Sequence, residues 1–173
     1  GGRLYGCDDC QEVCPEEAIT LAPDGLPQIQ RDRCTTCGKC VEVCSDEALA
    51  LYGLEMTAGE VFGIVQRDRN FYQGSGGGVT LSGGEPLLQP SFVCALFQLC
   101  RDAGIHTAIE SAGFVNPVVL KVALSLTDYV LFDLKHMDPQ THRTSTGQSN
   151  DLILRNAGTL AASGVPVRFR MPL

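Results

Sequence analysis

The sequence predicts an α/β protein in which a sheet of parallel strands follows a small cysteine-rich α+β domain. Two observations lead to this prediction. Strand-like and helix-like hydrophobic patterns alternate from residue 57 onward, which is typical of parallel βαβ units. Seven of the nine cysteines fall within the first 44 residues, which sets that segment apart from the rest. We therefore expect two domains, at residues 1–52 and 55–173.

Composition and charge limit the kinds of partner that we expect for this protein. The chain has 173 residues, of which 44% are hydrophobic, and Asp plus Glu exceed Lys plus Arg by 20 to 13. With no basic run, we expect no nucleic-acid partner. We see no apolar run of membrane-spanning length and no signal peptide, so we expect a cytoplasmic protein with no membrane partner. Because the chain begins without Met and stops just after an apparent strand, we also expect a fragment that is open at both ends.

The cysteine-rich segment contains an internal repeat of 30 residues. Residues 14–21 align with residues 44–51, and the cysteines of the two halves fall in register. The second half carries a complete Cys-x2-Cys-x2-Cys-x3-Cys run, formed by Cys34, Cys37, Cys40 and Cys44. The first half carries only the last three cysteines of that run, Cys7, Cys10 and Cys14, and has Leu4 at the leading position.

This spacing is that of bacterial two-cluster ferredoxins, in which the fourth cysteine of each run ligates the other cluster. By that rule, one complete 4Fe-4S site has the ligands Cys14, Cys34, Cys37 and Cys40. A second site, formed by Cys7, Cys10 and Cys44, lacks one cysteine, because an aliphatic Leu4 cannot bind iron. The second cluster is therefore incomplete, takes an outside ligand, or is absent. Zinc also takes four thiolates, but zinc sites usually combine two separated cysteine pairs, so the spacing favours iron–sulfur clusters. The two remaining cysteines, Cys94 and Cys100, lie on a predicted helix, and we interpret them as small core residues.

Hydrophobic periodicity predicts the elements of the second domain in order. Thr57 and Glu60 resemble a capping box that begins a helix ending near residue 69. Pro86 suits the first turn of a helix, and Gly104 is well placed just after the end of one. The other predicted helices cover about residues 92–103, 116–126 and 150–163, and the predicted strands cover residues 79–82, 106–111, 129–134 and 165–171.

The segment around Gly83 and Gly84 connects the first of these strands to a carboxylate, Glu85. One interpretation is a tight turn whose glycines serve only its geometry. Residues 81–85 also look like the signature loop of ABC-type ATPases, but the chain has no Gly-x-x-x-x-Gly-Lys-Ser/Thr motif to bind phosphates. The glycines do not form a dinucleotide-binding fingerprint either. The third interpretation is a site for a small polar molecule, and it depends on the neighbouring strand ends.

Polar side chains do stand at the ends of three successive predicted strands. Glu85 follows the first strand, Glu110 and Ser111 end the second, and Asp133 and Lys135 end the third. Functional groups gather at the carboxyl ends of the strands in parallel α/β folds, so this pattern favours a binding site. The alternative is that Asp133 and Lys135 form an ion pair with Glu110 that serves only packing.

Four other polar residues give less indication of a binding site. His136 and His142 lack metal-ligand spacing and are interpreted as polar loop residues. Arg168 and Arg170 alternate with apolar residues on the last strand, where they would face the same rim.

The order of these motifs resembles one family. The ferredoxin-like repeat is followed by Gly-Gly-Gly-Val-Thr-Leu-Ser-Gly-Gly-Glu-Pro at 76–86 and by Val-Leu-Phe-Asp-Leu-Lys-His-Met-Asp-Pro at 130–139. Together they resemble the glycyl-radical enzyme activating enzymes of the radical SAM superfamily, in the subgroup with a two-cluster ferredoxin insert. The resemblance implies a partial (β/α)6 barrel that binds S-adenosylmethionine (SAM) against a further four-iron cluster. It implies reductive cleavage of SAM to a 5′-deoxyadenosyl radical, which removes hydrogen from a backbone glycine of a partner glycyl-radical enzyme. It also implies an electron donor such as flavodoxin or ferredoxin.

The resemblance also assigns site residues. It implies that Gly83, Gly84 and Glu85 receive the methionine amino group of SAM. The segment Asp133, Leu134 and Lys135 matches the family's Asp-x-Lys segment at the SAM site, with Asp133 and Lys135 as candidate catalytic residues. Glu110 and Ser111 stand where the family commonly has Asp-Thr, and they complete the candidate cofactor-binding set.

One family motif is absent from the 173 residues. The Cys-x3-Cys-x2-Cys motif that holds the catalytic cluster fails at Glu17 after Cys10 and Cys14, and at Glu47 after Cys40 and Cys44. We expect it to lie upstream, and we expect the fragment alone to be unable to cleave SAM. Two alternatives stay open: an electron-transfer module, in which a ferredoxin is fused to a non-catalytic α/β binding domain, and a zinc-bound structural protein.

Overall fold

A computed structural model describes residues 7–171 of the chain. The chain divides into two compact units, Gly1–Glu55 and Met56–Leu173, which we treat separately. In the described part of the chain, no helix has the length and apolar character needed to cross a lipid bilayer.

The first unit is built from two short helices and one hairpin. Helix α1 spans Asp9–Glu12 and helix α2 spans Lys39–Glu42, and these positions differ by the 30 residues of the sequence repeat. Strands β1 (Ile19–Leu21) and β2 (Pro27–Ile29) lie between them and pair antiparallel, with Ile19 opposite Ile29. The hairpin breaks the repeat, since residues 49–51 form no strand.

The repeat extends to unusual backbone conformations. Glu17 and Glu47, which occupy equivalent positions, both adopt left-handed φ values, of 47° and 51°. Such a conformation is costly for a residue with a Cβ, by roughly 1–2 kcal/mol. In both halves it follows a cysteine by three residues, so it belongs to the turn that leaves Cys14 or Cys44.

The second unit alternates helices and strands. The helices are α3 (Ala58–Val65), α4 (Arg69–Ser75), α5 (Pro90–Asp102), α6 (Pro117–Leu124), α7 (Pro139–Thr146) and α8 (Asp151–Ala161). The strands are β3 (Gly78–Leu81), β4 (His106–Ser111), β5 (Tyr129–Asp133) and β6 (Val167–Arg170). Single 3-10 turns cover Gln66–Asp68 and Pro86–Leu88.

The four strands of this unit form one parallel sheet in the order β3-β4-β5-β6. This topology confirms the predicted α/β class with parallel strands. Strands β3 and β4 approach so closely that a Cβ on Gly78 would collide with the backbone carbonyl of His106. One face of the sheet packs on the helices through Ile109, Val130 and Phe132, which are almost fully buried. The other face carries the charged residues of β4, β5 and β6, because successive side chains of a strand alternate between faces.

Local sequence signals explain most helix boundaries. Thr57 and Glu60 form the predicted capping box, in which the Glu60 amide donates to Thr57 Oγ1 and the Thr57 amide donates to Glu60 Oε2. Asn116 caps α6 by accepting from the Val118 amide, and Pro117 opens that helix. Gly104 follows α5 with a φ of 67°, as predicted.

Helix α7 corrects the sequence analysis in two respects. Like α4, it was not among the predicted helices, and it contains His142, which we interpreted as a loop residue. His142 is instead buried, with 2% exposure, and its Nδ1 lies 2.9 Å from the Gln148 carbonyl oxygen. His136 does lie in a loop and is exposed.

Candidate functional site

The cysteines of the first unit surround two cavities. Cys14, Cys34, Cys37 and Cys40 line one cavity, and Cys7, Cys10 and Cys44 line another. Cys14 therefore lies with the second-half cysteines, and Cys44 lies with the first-half ones. Leu4, at the position of the absent leading cysteine, lies outside the described residues. Two exposed carboxylates, Asp24 and Asp46, also line the three-cysteine cavity.

The electrostatics of the thiols follow the same grouping. Burial raises the pKa of the Cys10 thiol, and the nearby charges of Cys7 and Cys44 raise it further. Burial also raises the pKa of Cys40, and there the neighbouring charges belong to Cys37, Cys14 and Cys34. In residues 7–171, no three His, Cys, Asp or Glu side chains converge on one point as ligands of a single metal ion would. Each set of thiols lines a cavity, and a cubane cluster takes one thiolate per iron.

Backbone amides are directed at two of these sulfurs. The Ala18 amide donates to Cys14 Sγ at 3.3 Å, and the Ala48 amide donates to Cys44 Sγ at 3.2 Å. These are the amides that follow Glu17 and Glu47, so the two left-handed residues are part of the turns that aim them. Hydrogen bonds to ligating sulfurs are one means by which a protein tunes an iron–sulfur cluster. The four thiols of one cavity match the ligand number of a 4Fe-4S cluster, and the other cavity offers three.

Glu85 lies in the turn after β3, just before the 3-10 turn Pro86–Leu88, and is held by three donors. Ser111 Oγ lies 2.9 and 3.0 Å from its two carboxylate oxygens, and the amides of Ala112 and Leu87 donate at 3.1 and 3.2 Å. The carboxylate thus ties the turn after β3 to the end of β4. A carboxylate offers about four acceptor positions, so one remains for a ligand.

The two glycines before Glu85 expose further acceptors. Gly83 has a φ of 128°, a conformation that excludes most other residues, and both glycines are exposed. Within residues 7–171, no backbone or side-chain donor reaches the carbonyl oxygen of Gly83 or Gly84. Two carbonyls and one carboxylate position can together receive an ammonium group.

A second cluster, of four charged residues, lies on the sheet face opposite the helices. Arg170 Nε donates to Asp133 Oδ1 at 2.7 Å, and its Nη2 also bonds the Glu110 carboxylate. Lys135 Nζ bonds the other oxygen of Asp133 at 3.0 Å. Strand register explains the cluster, because Arg170 is the direct partner of Asp133 across the β5–β6 pair.

Charge pairing fixes the ionisation of this cluster. Burial alone would raise the pKa of Asp133, but hydrogen bonds from Arg170 and Lys135 outweigh it and hold that pKa below its usual range. The same bond to Asp133, with the one to Glu110, raises the pKa of Arg170. Lys135 keeps nearly half of its side chain exposed, so its ammonium can reach a ligand.

The structure thus divides the predicted strand-end residues into two groups. Glu85 contacts Ser111, whereas Glu110, Asp133 and Lys135 are joined through Arg170. Glu110 and Ser111 are adjacent in sequence but face opposite sides of the sheet. Leu134 is partly buried and packs against the hydrophobic core.

Sequence reasoning missed two residues of this region and the partners of a third. Arg170 was placed near the rim, but its two carboxylate partners could not be named without the strand register. Asn150 and Asn156, both fully buried, contact the loops that follow β5 and β4. No motif marks them, and their only signal is a polar residue on an otherwise apolar face of a predicted helix.

Two protein-family models match this chain. The model of the radical SAM superfamily matches residues 33–173, and that of the 4Fe-4S dicluster domain matches residues 5–48. The chain therefore belongs to the radical SAM superfamily.

Its similar proteins are activating enzymes. The (2S)-3-sulfopropanediol dehydratase activating enzyme of Klebsiella oxytoca is 43% identical over 168 residues, which cover 96% of this chain and 53% of that protein. The isethionate sulfite-lyase activating enzyme of Desulfovibrio desulfuricans is 42% identical, with coverages of 96% and 54%. The trans-4-hydroxy-L-proline dehydratase activating enzyme of Clostridioides difficile is 39% identical, with coverages of 99% and 57%. The chain spans about half the length of these curated relatives.

Two solved structures are similar in fold. A domain of the pyruvate-formate lyase-activating enzyme from Bacteroides vulgatus aligns with a TM-score of 0.52 and 36% identity, over 56% of this chain and 60% of that one. SuiB of Streptococcus suis, bound to its precursor peptide SuiA, aligns with a TM-score of 0.55 over 69% of this chain and 27% of that one. At 17% identity, the second match bears on the fold alone.

Proposed function

We propose that this chain is part of a glycyl-radical enzyme activating enzyme. In such an enzyme, SAM is cleaved reductively at a four-iron cluster, and the 5′-deoxyadenosyl radical formed takes a hydrogen atom from a backbone glycine of the partner enzyme. The observation that supports this most strongly is the pair of strand-end groups on a parallel sheet, in a chain about 40% identical to several activating enzymes.

The strand ends supply complementary groups for the methionine part of SAM. The carbonyls of Gly83 and Gly84 and the remaining acceptor position of Glu85 suit its ammonium group. The exposed ammonium of Lys135 suits its carboxylate. Asp133 is the fixed anion that orients Lys135, and Glu110 balances the charge of Arg170.

Iron–sulfur clusters in the first unit form the second part of the proposal. Cys14, Cys34, Cys37 and Cys40 supply four thiolates for one 4Fe-4S cluster, and Cys7, Cys10 and Cys44 supply three for another. An electron donor such as flavodoxin or ferredoxin would reduce these clusters. We assign this role to residues 1–52 and the SAM-binding role to residues 55–173, in a cytoplasmic enzyme.

Anaerobic reconstitution of the full-length protein tests this function. With SAM and a low-potential reductant, we expect 5′-deoxyadenosine, and with the right partner we expect a glycyl radical detectable by electron paramagnetic resonance. Candidate partners are the enzymes named for its relatives, such as isethionate sulfite-lyase. The Glu85→Gln variant should weaken SAM binding by about tenfold, the loss of roughly one charge-assisted hydrogen bond, while the exposed Glu55→Gln should not. A reduced full-length protein that leaves SAM intact would refute the proposal.

The isolated 173-residue chain should behave differently. It contains no Cys-x3-Cys-x2-Cys motif, so we expect no 5′-deoxyadenosine above background from residues 1–173 after reconstitution and reduction. Chromatography of the reaction products measures this directly. Cleavage at the rate of the full-length protein would show that the motif is dispensable.

A further inference from the structure

Two buried asparagines are associated with helix α8. Asn156 lies within the helix and Asn150 immediately precedes it, and both are fully buried. Asn150 occupies the N-cap position, yet its side chain makes no capping hydrogen bond to the helix. The side-chain amide of Asn150 therefore serves a purpose other than capping α8.

Each side-chain amide donates both of its hydrogens to one strand-end loop. Asn156 Nδ2 bonds the carbonyl oxygens of Gly113 and Val115, both at 2.8 Å, in the loop after β4. Asn150 Nδ2 bonds the carbonyl oxygens of His136 and Met137, at 3.0 and 2.9 Å, in the loop after β5. Because all four partners are acceptors, only the NH2 group of each amide can face them.

These loops hold the candidate SAM-site residues. The Gly113 amide donates to Ser111 Oγ at 2.9 Å, and Ser111 in turn donates to Glu85, so Asn156 is connected to Glu85 through two intermediates. Asn150 holds His136, the residue directly after Lys135. One helix thus contacts both loops, through two separate side chains.

The free-energy cost of burying these two amides argues that they do more than fill space in the core. The Oδ1 atoms of Asn150 and Asn156 are buried and have no partner among the described residues. An unsatisfied buried acceptor destabilises a protein, and an apolar residue at either position would avoid that. The donor function of the amides is what an apolar residue could not provide.

We propose that Asn150 and Asn156 are positioning residues that fix the two loops of the SAM site independently of each other. Asn156 sets the place of Ser111 and Glu85, and Asn150 sets the place of Lys135. The inference rests on the proposed SAM-binding function, but its structural part can be tested without SAM.

Hydrogen exchange of the full-length protein tests that structural part. The isosteric Asn156→Asp variant removes the NH2 group: an ionised carboxylate repels both carbonyls, and a protonated one can donate to only one of them. We expect exchange at residues 111–115 to accelerate at least tenfold, with residues 134–137 unchanged, and the reverse for Asn150→Asp. Equal acceleration of both loops in either variant, or of neither, would overturn independent positioning.

SAM affinity at a temperature well below unfolding tests the functional part. We expect each Asn→Asp variant to raise the SAM dissociation constant at least tenfold. Ile153→Val and Ile153→Ala serve as controls, because Ile153 is a buried residue of α8 between the two asparagines. They should change affinity less than twofold at a comparable loss of melting temperature.

Each remaining outcome is decisive. If the loops loosen but SAM binds with unchanged affinity, or if the Ile153 controls lose as much affinity, the positioning role is wrong. If the unmodified protein binds no SAM, the proposed function fails, while the loop-specific exchange pattern still decides whether the asparagines hold the loops. Should an Asp variant not fold, Asn156→Ala and Asn150→Ala delete the donors without adding charge and give the same comparison.

Discussion

Glu85 combines two tasks in one carboxylate. Three donors hold it between the turn after β3 and the end of β4, which leaves about one acceptor position open. A ligand can therefore meet an acceptor whose position is already fixed, and little ordering has to accompany binding. The residue that fixes it most directly is Ser111, whose hydroxyl contacts both carboxylate oxygens.

Ser111→Ala should show what this contact contributes. Ser111 is 2% exposed and its hydroxyl donates to a charged group, so we expect a loss of about 1–3 kcal/mol in the free energy of unfolding. Chemical denaturation of the parent and variant measures it. The exposed Ser125→Ala is the matched control and should lose less than about 0.5 kcal/mol. Equal losses at the two positions would show that the Glu85 contact adds nothing.

Asp133 should make stability depend on pH in the acid range. Its folded-state pKa lies below the unfolded value of about 3.9. The contribution is therefore fully present above pH 4 or so, and it disappears as the pH falls through the lowered folded-state pKa. In Asp133→Asn, the stability deficit relative to the parent should be largest at neutral pH and shrink below about pH 4.

Urea unfolding at several pH values provides this measurement. The exposed Asp32→Asn is the control and should show a small difference from the parent at every pH. A deficit of Asp133→Asn that stays constant from neutral pH down to pH 2 or so would mean that Arg170 and Lys135 do not stabilise the ionised carboxylate.

At the scale of elements, hydrophobic periodicity was sufficient for the parallel sheet. Strand β4 has the predicted bounds, and α5, α6, α8 and β5 differ from prediction by a few residues at most. Helix α7 was missed because residues 139–146 contain four threonine or serine residues and no aliphatic stripe. A capping interaction favours it instead, since Asp138 accepts from the Thr141 amide at 2.8 Å and Pro139 opens the helix. His142 is the buried residue of this helix.

The candidate site was predictable to a similar degree. That Glu85, Glu110, Ser111, Asp133 and Lys135 lie at strand ends follows from the order of the elements. Their division into two groups depends on side-chain alternation and register, which a one-residue shift would reverse. The part played by Arg170 depends on a pairing 37 residues away in sequence, which no local pattern encodes.

Gly113 lies in the loop after β4, and the structure leaves no room there for a side chain. It has a φ of 75°, and a Cβ there would collide with the ring of Phe132. We expect Gly113→Ala to destabilise the second unit by about 3 kcal/mol or more, since overpacking and backbone strain add. Gly147→Ala separates the two effects, because Gly147 has nearly the same φ, 77°, but open space around it.

Thermal or chemical denaturation of both variants gives the comparison. Gly147→Ala should lose only the strain part, about 1 kcal/mol. If Gly113→Ala lost no more than this, the close packing of the loop on Phe132 would be refuted. The result also bears on Asn156, which donates to the Gly113 carbonyl.

At the scale of the molecule, the 30-residue repeat explains how the first unit distributes its thiols. Helices α1 and α2, the turns after Cys14 and Cys44, and the two amide-to-sulfur bonds all recur with this period. The cavities nevertheless mix the halves, because each takes one cysteine from the other half of the repeat. Substituting any cysteine of one cavity should therefore remove the same cluster, whichever half of the repeat that cysteine belongs to.

Paired cysteine substitutions test this exchange. In the reconstituted 173-residue chain, Cys34→Ala should abolish the four-iron cluster of the complete site and remove about four irons per chain. Cys14→Ala should cause the same loss, and the Cys14→Ala, Cys34→Ala double variant should lose no more, because both residues bind one cluster. Combining Cys44→Ala with Cys34→Ala should instead affect both sites.

Iron analysis and visible absorption measure the losses, with Cys94→Ala as an unaffected control. Additive losses for Cys14 and Cys34 would contradict the exchange, and a chain that takes up zinc but no iron would contradict the clusters themselves.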